Sequence, residues 1–158
     1  MILLSIDPGF ERVGIAVIEK EKGGKEKLLH SECFKTSKEE TFGDRLLLIQ
    51  NKISSLCAEY NPTILATESL FMATNLKTGI QVAHARGVII VTARKHELTL
   101  YEYTPLQVKV AVTGYGKSDK QAVMAMVPKI INMEKNTHSD DELDAIAIGL
   151  TCIAYEHL

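Results

Sequence analysis

The chain has 158 residues, 46% apolar and 24% charged, with a net charge of −2, the balance of a soluble globular domain that needs no disulfide or structural metal to hold its core. No apolar run reaches the roughly 20 residues of a membrane span, and the N-terminal stretch Met1–Asp7 lacks the basic region of a signal peptide. Cys33, Cys57 and Cys152 are odd in number and widely spaced; they fit neither a disulfide framework nor a zinc site and read as reduced residues of a cytoplasmic protein, one domain over 1–158.

Residues 2–6 and 13–19 are short runs rich in Ile and Val, parted by Asp7-Pro8-Gly9, and predict a strand, a turn and a second strand. After the turn at Lys22-Gly23-Gly24-Lys25, residues 26–36 complete an antiparallel meander. Ser37 with Glu40 has the spacing of a capping box. Phe42, Leu46, Ile49, Ile53, Leu56 and Tyr60 then recur at three and four residues, predicting a helix of about five turns that Pro62 ends. The nearly continuous apolar run Ile64 to Glu68 reads as a buried parallel strand. Residues 75–96 contain no proline and read as a long helix despite the β-branched stretch Val88 to Val91. A fifth strand is expected from Leu98 to Tyr103. Thr104-Pro105 with Gln107 opens a short helix with proline at its favoured first position. Gly114-Tyr115-Gly116 makes a loop, Ser118 with Gln121 caps the next helix, and residues 133–138 are a polar connection. Ser139 with Glu142 caps a last helix running to near the C-terminus. This order predicts an α/β fold, one mixed five-stranded sheet with helices on both faces.

Charge is unevenly spread. Between Lys77 and Lys129 stand eight basic residues against three acidic ones, so the rest of the chain is strongly acidic. A basic half beside an acidic half suits a metal-assisted nuclease, with lysines for phosphates and carboxylates for cations; scatter over a solvated surface accounts for it equally well.

Four carboxylates stand out. Asp7 ends the first strand and Glu68 the fourth, and open α/β sheets place their sites at such strand ends. Asp141 and Asp144 lie three apart near the start of the last helix, on one face. Taken alone, Asp7 reads first as a turn former, and Asp141 as an acidic residue favoured by the helix macrodipole. Glu68, closing a buried strand, needs a partner. Asp144 lies beyond the first turn, ahead of an apolar run Ala145 to Leu150 that is expected to be buried. Brought together, four such groups would repel one another and raise each other's pKa unless a cation neutralised them. An all-oxygen set without His or Cys favours magnesium or manganese over zinc.

Several segments in order carry a resemblance: Ser5-Ile6-Asp7-Pro8-Gly9, Glu68-Ser69-Leu70-Phe71-Met72-Ala73-Thr74-Asn75, Ala85-Arg86-Gly87-Val88, Tyr103 to Lys109, and Asp141-Glu142-Leu143-Asp144-Ala145-Ile146-Ala147-Ile148. The chain resembles the RuvC-type Holliday junction resolvases over nearly its whole length. The resemblance implies a ribonuclease-H-like fold and a homodimer that cuts two opposing strands of a four-way DNA junction symmetrically. It implies Asp7, Glu68, Asp141 and Asp144 as ligands of two Mg2+ ions, with Mn2+ as a substitute. The resulting nicks would carry 5′-phosphate and 3′-hydroxyl ends. It also implies a partner outside the chain, a branch-migration motor complex.

By the same resemblance Phe71 stacks on a base at the opened junction, and Lys109 and Lys120 lie near the scissile phosphate, with Lys117 beside them in the loop. Without it, Phe71 reads as core packing and the lysines as a solvated helix face. Residues 80–91 offer more apolar surface than one buried helix face needs, and part of it is expected to form a two-fold interface, core packing being nearly as good an account. Gly116-Lys117-Ser118 is not a phosphate-binding loop, because the glycine required five residues earlier is Ala111. Two other classes are open: an actin-like ATPase, which also has Asp-x-Gly after its first strand but needs a second such domain, and a junction-binding protein without catalysis.

Overall fold

A computed structural model describes residues 1–69, 76–133 and 138–158. Among them, β1 (Ile2–Asp7), β2 (Arg12–Lys20) and β3 (Glu26–Lys35) form the expected antiparallel meander, with a register shift in β2–β3 at Val17/Ile18. β4 (Ile64–Glu68) and β5 (Thr99–Tyr103) add parallel to β1, giving one five-stranded sheet in the order β3-β2-β1-β4-β5. The parallel strands are reached through helical crossovers, as parallel pairing requires.

Strand side chains alternate between faces, and here the alternation separates two cores. Leu4, Ile6, Val13, Ile15, Val17 and Leu65 face α1 (Phe42–Tyr60) and α2 (Leu76–Lys95), packing on Ile49, Ile53, Ala85 and Ile89. Leu3, Ala16, Ile18, Ile64 and Ala66 face α3 (Pro105–Thr113), α4 (Lys120–Ile130) and α5 (Asp140–Tyr155). The α5 stretch from Ala145 to Ile153 is buried without interruption, as its all-round apolar sequence requires.

Two helix starts differ from the sequence reading. α1 is capped by Thr41, whose hydroxyl accepts from the Asp44 amide, four residues later than the Ser37–Glu40 spacing suggested. Ser37 instead accepts from the Glu39 amide at 3.2 Å, a local turn that competes with helix. The buried stripe of α1 then begins at Arg45, whose guanidinium lies 4.0 Å over the Phe10 ring, while Phe42 is exposed and stacks on Phe10. α4 is capped by Asp119, not Ser118, because the Ser118 hydroxyl is taken by Thr113 at 2.8 Å. The capping boxes at Thr104–Gln107 and Ser139–Glu142 form as expected. The polar connection over 133–138 falls largely outside the described residues.

Candidate active site

The first two carboxylates are placed by strand register. Asp7 follows Leu3 and Ser5 at even steps, and Glu68 follows Ile64 and Ala66, so both project to the face covered by α3–α5. β1 and β4 are adjacent and parallel with Ile6 opposite Thr67; one step further on, Asp7 and Glu68 leave neighbouring strand ends together. The end of β4 is pinned from the β5 side. The Ser69 amide donates to the Tyr103 carbonyl at 2.9 Å, and Arg86 of α2 donates through Nε to the Glu68 carbonyl at 3.4 Å while pairing with Glu102.

The other two carboxylates arrive on α5, which packs across β1 and β2. Gly14 admits it. Gly14 lies opposite Asp7 in the β1–β2 register, and a Cβ there would collide with the Asp141 carbonyl and stand 3.2 Å from the Asp7 Cβ. The missing side chain lets the first turn of α5 settle directly on the strand beside Asp7. The β2–β3 edge grips that turn: Ser31 donates to Glu142 at 3.2 Å, Cys33 donates to Asp141 Oδ2 at 3.3 Å, and Arg12 pairs with the same Asp141 oxygen.

The convergence has an electrostatic signature. The Asp7 carboxyl is pushed up to about 7, by burial first and then by Asp144, Glu68 and Asp141, with Lys120 opposing. Glu68 is also raised, by burial first and then by Asp144. Lys120 supplies the local positive charge, donating to Asp144 at 2.8 Å and standing 3.9 Å from Asp140. Its ammonium is held above the usual lysine range by that hydrogen bond first. Among the described residues no three carboxylate, His or Cys side chains are grouped tightly enough to grip an ion as they stand, and Asp144 is paired with Lys120. The donor set still suits a hard divalent cation: it is all oxygen, drawn from three elements, and the Asp7 carboxyl is raised well above its ordinary range by burial first and then by the neighbouring carboxylates.

A cleft of about 220 Å3 opens beside these groups, lined by Glu68, Asp144, Lys109, Lys120, Pro105 and Val108 among others. Two of the three expected lysines therefore share this cleft with Glu68 and Asp144. Lys117 is exposed in the loop between α3 and α4 and does not line the cleft. Phe71 lies outside the described residues.

Comparison with known proteins fits this geometry. The profile described as crossover junction endodeoxyribonuclease RuvC matches residues 3–152. The chain belongs to the RuvC family of crossover junction endodeoxyribonucleases. A RuvC from Thermosipho melanesiensis is 42% identical over 156 residues, covering 99% of this chain and 98% of the relative. One from Alkaliphilus metalliredigens is 41% identical over 150 residues, covering 95% and 91%. Thermus thermophilus RuvC, solved in complex with a Holliday junction substrate, superposes with a TM-score of 0.92 at 31% identity, covering 99% of this chain and 94% of that one. The sheet and its two helical layers are thus the ribonuclease-H-like arrangement of RuvC.

Sequence reading passed over Arg12, Cys33, Gly14 and Arg86 as site residues. Arg86 stood within a matched segment, and Gly14 was recoverable from its pairing opposite Asp7. Arg12 and Cys33 carry no local signal; only the packing of α5 on β2–β3 brings them to Asp141.

Proposed function

We propose that this chain resolves four-way DNA junctions in recombination and repair, cutting two opposing strands symmetrically and leaving 5′-phosphate and 3′-hydroxyl ends. What carries the reading is the meeting of Asp7, Glu68, Asp141 and Asp144 from three elements, with Asp7 pushed up to about 7 by burial and by the other three. These four would hold Mg2+, with Mn2+ as a substitute, and the Lys120–Asp144 pair would have to give way to the cation. When bound, two such ions supply Lewis-acid activation of the attacking water and of the departing oxygen.

The remaining work belongs to side chains. Lys109 and Lys120, on the cleft wall, hold the phosphate as point charges that position the backbone without reading sequence. Lys117 extends this contact from the loop. Phe71, three residues beyond Glu68 in the sequence, stacks on a base, an interaction worth roughly 1–3 kcal/mol. The acting unit is a homodimer of single-domain subunits, matching the two equivalent strands of the junction. It works in the cytoplasm beside a branch-migration motor complex; the unbonded Cys33, Cys57 and Cys152 suit a reducing compartment.

The test compares labelled four-way junction with linear duplex, each with Mg2+. Paired nicks in the junction alone are expected. Asp144→Asn is expected to bind the junction normally and to cut it at least about 100-fold more slowly, the scale on which lost transition-state charge stabilisation registers. Cleavage of both substrates alike, or normal cutting by this variant, would overturn the reading.

A further inference from the structure

Arg12 and Cys33 meet Asp141 in a way that stability does not explain. The Arg12 side chain is 52% exposed, and a surface ion pair of this kind contributes little to folding. Yet its placement is specific. Arg12 and Gly14 share a face of β2, and Cys33 pairs with Gly14 across β2–β3, so the three residues frame the spot where the first turn of α5 lands. Both bonds from this frame fall on one oxygen: Arg12 Nη2 pairs with Asp141 Oδ2, and Cys33 Sγ donates to Oδ2 at 3.3 Å. Oδ1 takes neither. A carboxylate fixed through one oxygen keeps the other for a cation, and its rotation, which would otherwise be frozen only on binding, is already restricted.

We propose that Arg12, assisted by Cys33, is a positioning residue that pins Asp141 through Oδ2 and presets it to ligate a divalent cation through Oδ1. This rests on the proposed role of Asp141 as a ligand. Outer partners of metal-binding carboxylates commonly alter metal affinity by 10–100-fold. Arg12 sits opposite Lys120 in this respect: Lys120 competes with a cation for Asp144, whereas Arg12 orders Asp141 for one.

The experiment compares the full-length parent with Arg12→Gln, Arg12→Lys, Asp141→Asn and the Arg12→Gln/Asp141→Asn pair. Three quantities are read: the Mn2+ concentration for half-maximal junction cleavage, the Mn2+-induced rise in melting temperature without DNA, and junction affinity in EDTA. Arg12→Gln is expected to melt like the parent in EDTA and bind the junction equally well. It should need about 10–100-fold more Mn2+ and show a smaller Mn2+-induced melting shift. Arg12→Lys should recover part of both. In the Asp141→Asn background Arg12→Gln should change nothing further, since a residue acting through another shows its effect only when that other is present. Unchanged Mn2+ dependence in Arg12→Gln overturns the proposal, as does an additive effect in the double variant. Weaker binding in EDTA with a salt slope lower by about one would make Arg12 a phosphate contact, which also overturns it. If Asp141→Asn alone leaves Mn2+ dependence untouched, the ligand assignment fails first and this inference with it.

Discussion

Asp7 shows what it costs to place the site inside the fold. Its carboxyl is pushed up to about 7, by burial first and then by Asp144, Glu68 and Asp141. For an acid raised in the native state, the folded chain keeps its proton longer than the unfolded chain, so stability declines as pH climbs from near 4 to near 7. Asp7→Asn removes that loss. Without divalent cations at pH 8 the variant is expected to be more stable than the parent by about 2 kcal/mol, allowing for partial hydration of the half-buried carboxyl. That corresponds to a melting temperature higher by roughly 4–8 °C, a difference that closes below pH 4. Adding Mg2+ should raise the melting temperature of the parent more than that of the variant. Equal melting of the two proteins at pH 8 in EDTA would show that the Asp7 carboxyl is not raised by its surroundings. Asp7, Glu68 and Asp144 were visible in the sequence because strand ends and the helical spacing put them at predictable places. Arg12 and Cys33 were not, because they reach Asp141 only through a contact between β2–β3 and α5 spanning more than a hundred residues of chain.

At the scale of elements, α5 decides whether there is a site at all. It rests on the sheet at two glycine contacts, Gly14 of β2 under Asp141 and its own Gly149 against Ser5 and Ile18. A methyl at either position overpacks the interface, at roughly 1–3 kcal/mol. The consequences for chemistry differ. Gly14→Ala pushes the first turn of α5 away from Asp7 and is expected to slow cleavage about 100-fold or more, since misplacement by about 1 Å costs on that order. Junction binding, proposed to run through Lys109 and Lys120, should persist. Gly149→Ala, two turns further along, would meet Ile18 Cδ1 at 2.7 Å and Ser5 Oγ at 2.8 Å. It should destabilise the fold comparably while sparing most activity. Melting curves and single-turnover cleavage on both variants check the contrast; equal activity losses would mean that α5 moves as a rigid whole.

Element boundaries were legible to the extent that local chemistry settled them. Thr104–Gln107 and Ser139–Glu142 close reciprocal caps from their own side chains. At Ser37 and Ser118 a hydroxyl had another partner nearby, and packing moved the helix start to Thr41 and Asp119. The mixed five-stranded sheet with helices on both faces was readable from a three-strand meander followed by helical crossovers, whereas the strand order β3-β2-β1-β4-β5 is set by which strands pair in the folded chain.

For the whole molecule, the two faces of the sheet are unequal. The α3–α5 face carries the carboxylates and the cleft lysines; the α1–α2 face leaves apolar surface uncovered. Ile80 and Val91 are 57% and 56% exposed, and with Leu46, Ala83, Gly87 and Val88 they line an open groove of about 610 Å3 between the two helices. This is the surplus that the sequence of 80–91 advertised. A contiguous apolar patch is the mark of an interaction surface, and a second copy related by a two-fold axis would bury the same patch on both subunits. Each partner needs to cover about 800 Å2 for a stable pair, so one buried charge within the patch should be enough to part them. Val91→Glu is expected to shift the sedimenting species from twice the 17.5 kDa chain mass to a single chain at micromolar concentration, with the melting transition little changed because the side chain already faces out. Its cleft is untouched, so a junction should still be nicked, but one strand at a time, and the two cuts should lose their coincidence within one bound lifetime. A Val91→Glu protein that stays dimeric and cuts in pairs would place the two-fold axis on another surface, and leave this groove without a subunit to cover it.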